Sequence, residues 1–130
     1  MPDNRYRSRV LIVDDECIIA DTLALILEQS GYQTKAVYSG ETAVESAMEL
    51  KPDILISDVV MNGMNGIETA LRIAVVLPGC RIILMSGNAA TADLLLDARA
   101  HGHRFEILPK PLHPQILLDR LKSVNGQAEL

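Results

Sequence analysis

The stretch Val10-Leu11-Ile12-Val13-Asp14-Asp15 decides the fold. Four aliphatic residues without polar alternation, stopped by two carboxylates, have the pattern of a strand covered on both faces. That is the place of a central strand in a parallel sheet. Outward from it, Ile19, Leu23, Ile26 and Leu27 recur at helical spacing until Ser30-Gly31 stops the helix. Residues 32–37 alternate in polarity, as a strand at a sheet edge does. Ser39 is placed to cap a second helix, with Val44, Ala47 and Met48 inward and Lys51-Pro52 closing it. Ile54-Leu55-Ile56 predicts a third strand ending at Ser57-Asp58, followed by a loop over 59–66 with Gly63 and Gly66 as breakers. Ile67, Ala70, Leu71, Ala74 and Val75 mark a third helix, ended by Pro78-Gly79. A fourth strand over 81–85 precedes Ser86-Gly87-Asn88, and a fourth helix spans about 90–100 before Gly102. A fifth strand over 105–108 is broken by Pro109-Lys110-Pro111. A last helix over about 113–124 carries Ile116, Leu117 and Leu121.

Five strand–helix units with short connections predict an α/β domain: a doubly wound parallel sheet, helices on both faces, right-handed crossovers. The 130 residues suffice for one core without a disulfide or structural metal. The division expected is an extension over 1–8, one domain over 9–124 and a tail over 125–130. Twelve Lys and Arg against seventeen Asp and Glu give a net charge of −5 with no basic stripe, which argues against direct nucleic-acid binding. No apolar run approaches the roughly 18 residues of a membrane span. The polar start with Arg5, Arg7 and Arg9 does not resemble a secretory signal. Cys17 and Cys80 lie far apart, outside any C-x-x-C spacing, as expected of a reduced, cytoplasmic chain. Aromatic residues make up only 3%, too few for a base- or sugar-stacking surface.

In open parallel sheets, ligands bind beyond the carboxyl ends of the strands. Those ends carry Asp14-Asp15, Asp58, Ser86 and Lys110. Singly, each has an ordinary reading as a helix cap, a turn residue or a solvated charge. Together, three carboxylates, a hydroxyl and an ammonium converge from four strands. Such carboxylates repel unless a cation joins them, and Mg²⁺ suits an open site with few carboxylates, waters and a phosphate oxygen. There is no phosphate-binding Gly-x4-Gly-Lys-Ser/Thr loop, no dinucleotide glycine motif and no nucleophile–His pair. The set fits a small phosphoryl group.

These residues carry a family resemblance. Val13-Asp14-Asp15-Glu16, the run from Asp58-Val59-Val60-Met61 through Asn62-Gly63-Met64-Asn65-Gly66, Ser86 and Lys110-Pro111 resemble the receiver domains of two-component response regulators. The likeness covers nearly the whole chain. It implies a flavodoxin-like (βα)5 fold with strand order 2-1-3-4-5. It implies that Asp58 accepts a phosphoryl group from a phosphohistidine donor, either a histidine kinase or a His-containing phosphotransfer protein. Asp15, Asp58 and the Val60 backbone carbonyl would bind Mg²⁺ directly, and Asp14 through a water. Lys110 and Ser86 would contact the phosphoryl group, and the Lys110-Pro111 peptide would be cis. The resemblance implies a regulatory domain that assists its own phosphorylation and dephosphorylation rather than an enzyme. With the length consumed by one receiver, a stand-alone regulator acting on a separate output protein is expected, without membrane or nucleic-acid contact.

Two positions depart from the family pattern. Asn62 stands where a proline is usual, which frees one backbone N–H. Ile107 stands where the switch aromatic usually sits, and Phe105 lies two residues earlier on the same strand face. The switch candidates are therefore Ser86, Ile107 and Phe105, with coupling expected through Ser86 and repacking of the fourth helix. Leu94, Leu95 and Leu96 span too wide an arc for one sheet-facing stripe, so a partner or homodimer face is expected on the fourth helix, fifth strand and fifth helix. His101 and His103 lack a third ligand at metal spacing. His113 reads as a residue at the start of the last helix, and Cys17 follows an acidic pair that disfavours its thiolate. The alternative function is a degenerate receiver acting as a phosphorylation-independent interaction module. An aspartyl phosphatase would want an acid at Val60, which cannot transfer protons.

Overall fold

The structure is a computed structural model that describes residues 8–87, 99, 102 and 105–123. Five strands, β1 (Arg9–Val13), β2 (Gln33–Val37), β3 (Ile54–Asp58), β4 (Arg81–Ser86) and β5 (Glu106–Pro109), form one sheet in the order β2-β1-β3-β4-β5. Every pairing is parallel. The described helices are α1 (Cys17–Gln29), α2 (Gly40–Leu50), α3 (Gly66–Val76) and α4 (Pro114–Lys122). None of them is long and apolar enough to cross a membrane. The helix expected over 90–100, with Leu94, Leu95 and Leu96, lies outside the described residues, as do His101 and His103.

Alternation along each central strand divides the core into two layers. Leu11, Val13, Leu55 and Leu84 face Ala43 and Ala47 of α2 and Ala70 and Ile73 of α3. Val10, Ile12, Ile56, Ile83 and Met85 face Ala20, Leu23 and Leu27 of α1 and Leu117 and Leu121 of α4. Val10 through Val13 are all fully buried, as their unbroken aliphatic run requires.

Helix faces differ from the expectation at several positions. Met48 of α2, Val75 of α3 and Ile116 of α4 are exposed, whereas Ala43 and Ser46 of α2, Ile73 of α3 and Ala20 of α1 are buried. The buried face of α2 consists of small residues because α2 and α3 approach closely. A Cβ on Gly40 would collide with the Thr69 hydroxyl of α3. Ranking positions by side-chain size misorients such a helix. The fifth strand also runs one residue later than expected and includes Pro109, which the sheet tolerates because β5 is an edge strand.

The amino end of the sheet is fastened by charge. Arg81 donates from Nε to Glu106 Oε2 (2.6 Å) and from Nη2 to Glu106 Oε1 (2.8 Å). The same guanidinium reaches the backbone carbonyls of Arg120 (2.9 Å) and Leu121 (3.4 Å) at the end of α4. The Arg120 carbonyl also accepts the Ser123 N–H at 3.2 Å, and Arg81 adds a side-chain cap at this helix end that ties α4 to β4 and β5.

Candidate functional site

The register aligns the opposite ends of the strands. Val13 pairs with Val37 and Ser57, Asp58 with Met85, and Ser86 with Pro109. Asp14, Asp58, Ser86 and Lys110 therefore emerge along one edge. Asp14 is fully buried, and the Glu16 N–H donates to its Oδ1 at 2.9 Å. Asp58 is buried as the last residue of β3, and Asp15 is half-buried. One carboxylate oxygen from each acid lies within 4.8 Å of the others. Lys110 Nζ stands 3.3 Å from Asp58 Oδ2 and 3.7 Å from Asp14 Oδ2.

The loops holding these groups are built tightly. The Lys110 N–H donates to the Ser86 carbonyl at 3.0 Å, and the Lys110-Pro111 peptide is cis, as expected. Gly87 leaves room for the lysine stem, since a Cβ there would sit 2.9 Å from Lys110 Cβ. After Asp58, Val59 N–H donates to Met85 O and Gly66 N–H donates to Val59 O. A Cβ on Gly66 would overlap the Asp58 carbonyl, so only glycine lets α3 start here. Gly63, at φ 76°, takes the left-handed turn, and Asn65 caps α3 by accepting from Glu68 N–H at 2.8 Å. Two acids outside this loop hold it. Asn62 N–H donates to Asp15 Oδ2 at 3.0 Å, and Met64 N–H donates to Glu41 Oε2 at 3.3 Å.

Burial pushes the Asp14 carboxyl above its usual range, against the Glu16 N–H and the Lys110 charge, which pull it down. Burial likewise raises Asp58, opposed by Lys110 and reinforced by the negative charge of Asp14. For Lys110, burial acts downward, but the charges of Asp58 and Asp14 and the hydrogen bond to Asp58 outweigh it and hold the ammonium above its usual value. The cluster is short of positive charge.

Asp15, Asp58, Val60, Ser86 and Lys110, with Glu16, Met85 and Gly87, line an open pocket of about 370 Å³. Asp14 lies behind it. Its Oδ2 is buried without a hydrogen-bond partner and has only the longer ionic contact to Lys110. An orphaned carboxylate oxygen beside two further acids fits a hard divalent cation with oxygen ligands. The donor set suits Mg²⁺ better than a softer metal, having neither Cys nor His among the clustered residues.

A family model described as the response regulator receiver domain matches residues 10–122. The chain belongs to that family. It is 34% identical over 118 residues to the chemotaxis protein CheY of Thermotoga maritima, covering 90% of this chain and 97% of that protein. It is 29% identical over 117 residues to the DNA-binding response regulator MtrA of Mycobacterium tuberculosis, covering 90% of this chain and 50% of that one. The chain thus spans about half the length of the MtrA relatives it matches. Among solved structures, Vibrio cholerae chemotaxis protein CheY4 superposes with a TM-score of 0.80 at 27% identity, covering 91% of this chain and 98% of that one. A putative response regulator from Chloroflexus aurantiacus gives 0.78 at 28% identity, covering 93% and 99%. The flavodoxin-like, CheY-type fold with order 2-1-3-4-5 is thereby shown. Receiver domains are regulatory domains of two-component systems that accept phosphoryl groups, bind Mg²⁺ and interact with histidine kinases or phosphotransfer proteins.

Within this receiver, Ile107 and Phe105 are half-buried and pack against the same core layer, on the α2–α3 side of the sheet. Ser86 ends β4 at the pocket wall, itself half-buried. His113 precedes α4 at its amino end, as expected, and Cys17 is exposed at the start of α1. Sequence reasoning did not anticipate Glu41 as a support of the loop or Asn62 as a partner of Asp15. The unusual Asn62 was the one signal available, because it carries an N–H that proline lacks.

Proposed function

We propose that this receiver accepts a phosphoryl group on Asp58 from a phosphohistidine donor and signals through phosphorylation-dependent contacts with a separate protein in the cytoplasm. The observation that supports this reading most is the charge shortfall around Asp58, with Lys110 at 3.3 Å as its single cation among the described residues. Asp15, Asp58 and the Val60 carbonyl would hold Mg²⁺, with Asp14 acting through a water. When bound, Mg²⁺ would offset the negative charge of the incoming phosphoryl oxygens.

The chain's own groups supply the rest. An Asp58 carboxylate oxygen forms a bond to phosphorus as the donor's P–N bond breaks. Positioning and electrostatics dominate such a transfer. Lys110, held between Asp58 and Asp14, faces the equatorial oxygens. The Ser86 hydroxyl is drawn to a phosphoryl oxygen and moves its loop. Ile107 and Phe105, packed on the α2–α3 layer, are the further switch candidates beside Ser86, whose movement is coupled through repacking of the fourth helix expected over 90–100. The receiver of this reading occupies residues 9–124.

Labelling with a phosphohistidine donor or a small-molecule phosphodonor, with Mg²⁺, tests it. Wild type takes up one phosphoryl group, and Asp58→Asn takes up none. Full labelling of the variant refutes the acceptor assignment, and an unlabelled wild type supports the phosphorylation-independent module instead.

A further inference from the structure

We infer that the backbone N–H of Asn62 acts as a built-in competitor of the divalent cation, setting how tightly this pocket binds Mg²⁺. This deepens the reading above and rests on it. The three acids are compensated unequally. Asp58 and Asp14 share Lys110, and Asp14 also accepts from the Glu16 N–H. Among the described residues no cation pairs with Asp15. Its compensation is the Asn62 N–H, which donates to Oδ2 at 3.0 Å.

That donor comes from the loop that also carries Val60, whose carbonyl is a proposed ligand. The other anchor of the loop, Met64 N–H to Glu41 Oε2, is longer at 3.3 Å, and both bonds are exposed. The Asn62 N–H therefore does for Asp15 part of what a cation would do. A hydrogen bond to an ionised carboxylate is among the stronger kinds and lowers the oxygen's charge density toward any other partner. A divalent ion arriving at Asp15 displaces or weakens this bond, so part of its binding energy is offset. Asn62 is a positioning residue for the site, acting through its backbone. The backbone, not the side chain, makes the contact to Asp15.

Calorimetric titration of Mg²⁺ into the metal-free protein distinguishes the outcomes. Asn62→Pro, which deletes the N–H, is expected to bind Mg²⁺ about tenfold tighter than wild type, the effect of removing one charge-assisted hydrogen bond from the free state. Asn62→Ala keeps the N–H and is expected to bind as wild type does. Unchanged or weaker binding by Asn62→Pro, or equal tightening by Asn62→Ala, overturns the inference. If wild type itself fails to bind Mg²⁺, the proposed function fails instead. Should Asn62→Pro not fold, amide NMR of wild type gives the answer. The Asn62 amide should be protected from exchange without Mg²⁺ and lose protection in step with its binding. An amide indifferent to saturating Mg²⁺ refutes the competition.

Discussion

At the amino end of the sheet, two guanidiniums share one carboxylate. Arg81 grips Glu106 with two hydrogen bonds, Arg120 adds an ion pair at 3.6 Å, and the remaining Arg81 donors go to carbonyls at the end of α4. At the carboxyl end, three carboxylates face one ammonium, and a buried Asp14 oxygen has no hydrogen bond at all. Both clusters sit at strand ends and both are partly buried. The difference is completeness. A closed set of donors and acceptors fastens elements together, whereas an open set stores an electrostatic deficit that only a ligand can relieve.

Breaking the closed end should have the larger effect on stability. Arg81→Ala leaves Glu106 with a weaker partner and removes the side-chain donors from the Arg120 and Leu121 carbonyls at the end of α4. It should lower the unfolding free energy by about 2–3 kcal/mol in urea titration, while Mg²⁺ affinity stays as in wild type. A loss of Mg²⁺ binding with little loss of stability would mean that the two ends are not separate devices.

The open end should show a smaller effect with the opposite sign. The folded-state values of Asp14 and Asp58 lie above 3.8, so the folded protein holds their protons more tightly than the unfolded chain does. Their contribution to stability therefore falls as pH rises from the ordinary carboxylate range through the raised folded values. Lys110 behaves differently: its contribution is present below 10.5 and is lost as pH climbs through its raised folded value. Without metal, the melting temperature of Asp58→Asn minus that of wild type should increase by a few degrees between about pH 4 and neutrality. A difference that stays flat or shrinks over this range would contradict the deficit at Asp58.

The open end was more legible in the sequence than the closed one. Val10-Leu11-Ile12-Val13 and Ile54-Leu55-Ile56 are continuous because both strand faces are buried, and a parallel sheet then places Asp14, Asp15, Asp58, Ser86 and Lys110 along one edge. Their chemistry follows from residue type and strand position alone. Arg81 and Glu106 are 25 residues apart on neighbouring strands, and charged residues at strand starts are ordinary in any sequence. Only the pairing of β4 with β5 and the docking of α4 reveal the clamp. The rest of the buried face of α2, beyond Ala47, was hidden for a related reason: Ala43 and Ser46 are selected by close approach to α3, not by hydrophobic bulk. The bond from Asn62 to Asp15 depends on the path of a loop, to which residue spacing is blind.

The central claim is that the carboxyl end is a charge deficit completed by a divalent cation, and unfolding with and without Mg²⁺ measures it most directly. At a Mg²⁺ concentration a hundredfold above Kd, wild type should gain about 2.7 kcal/mol of unfolding free energy. Arg81→Ala should gain the same increment from its lower baseline, and Asp58→Asn should lose most of it. A wild type whose stability does not respond to Mg²⁺, or an Asp58→Asn variant that gains as much as wild type, would contradict the account.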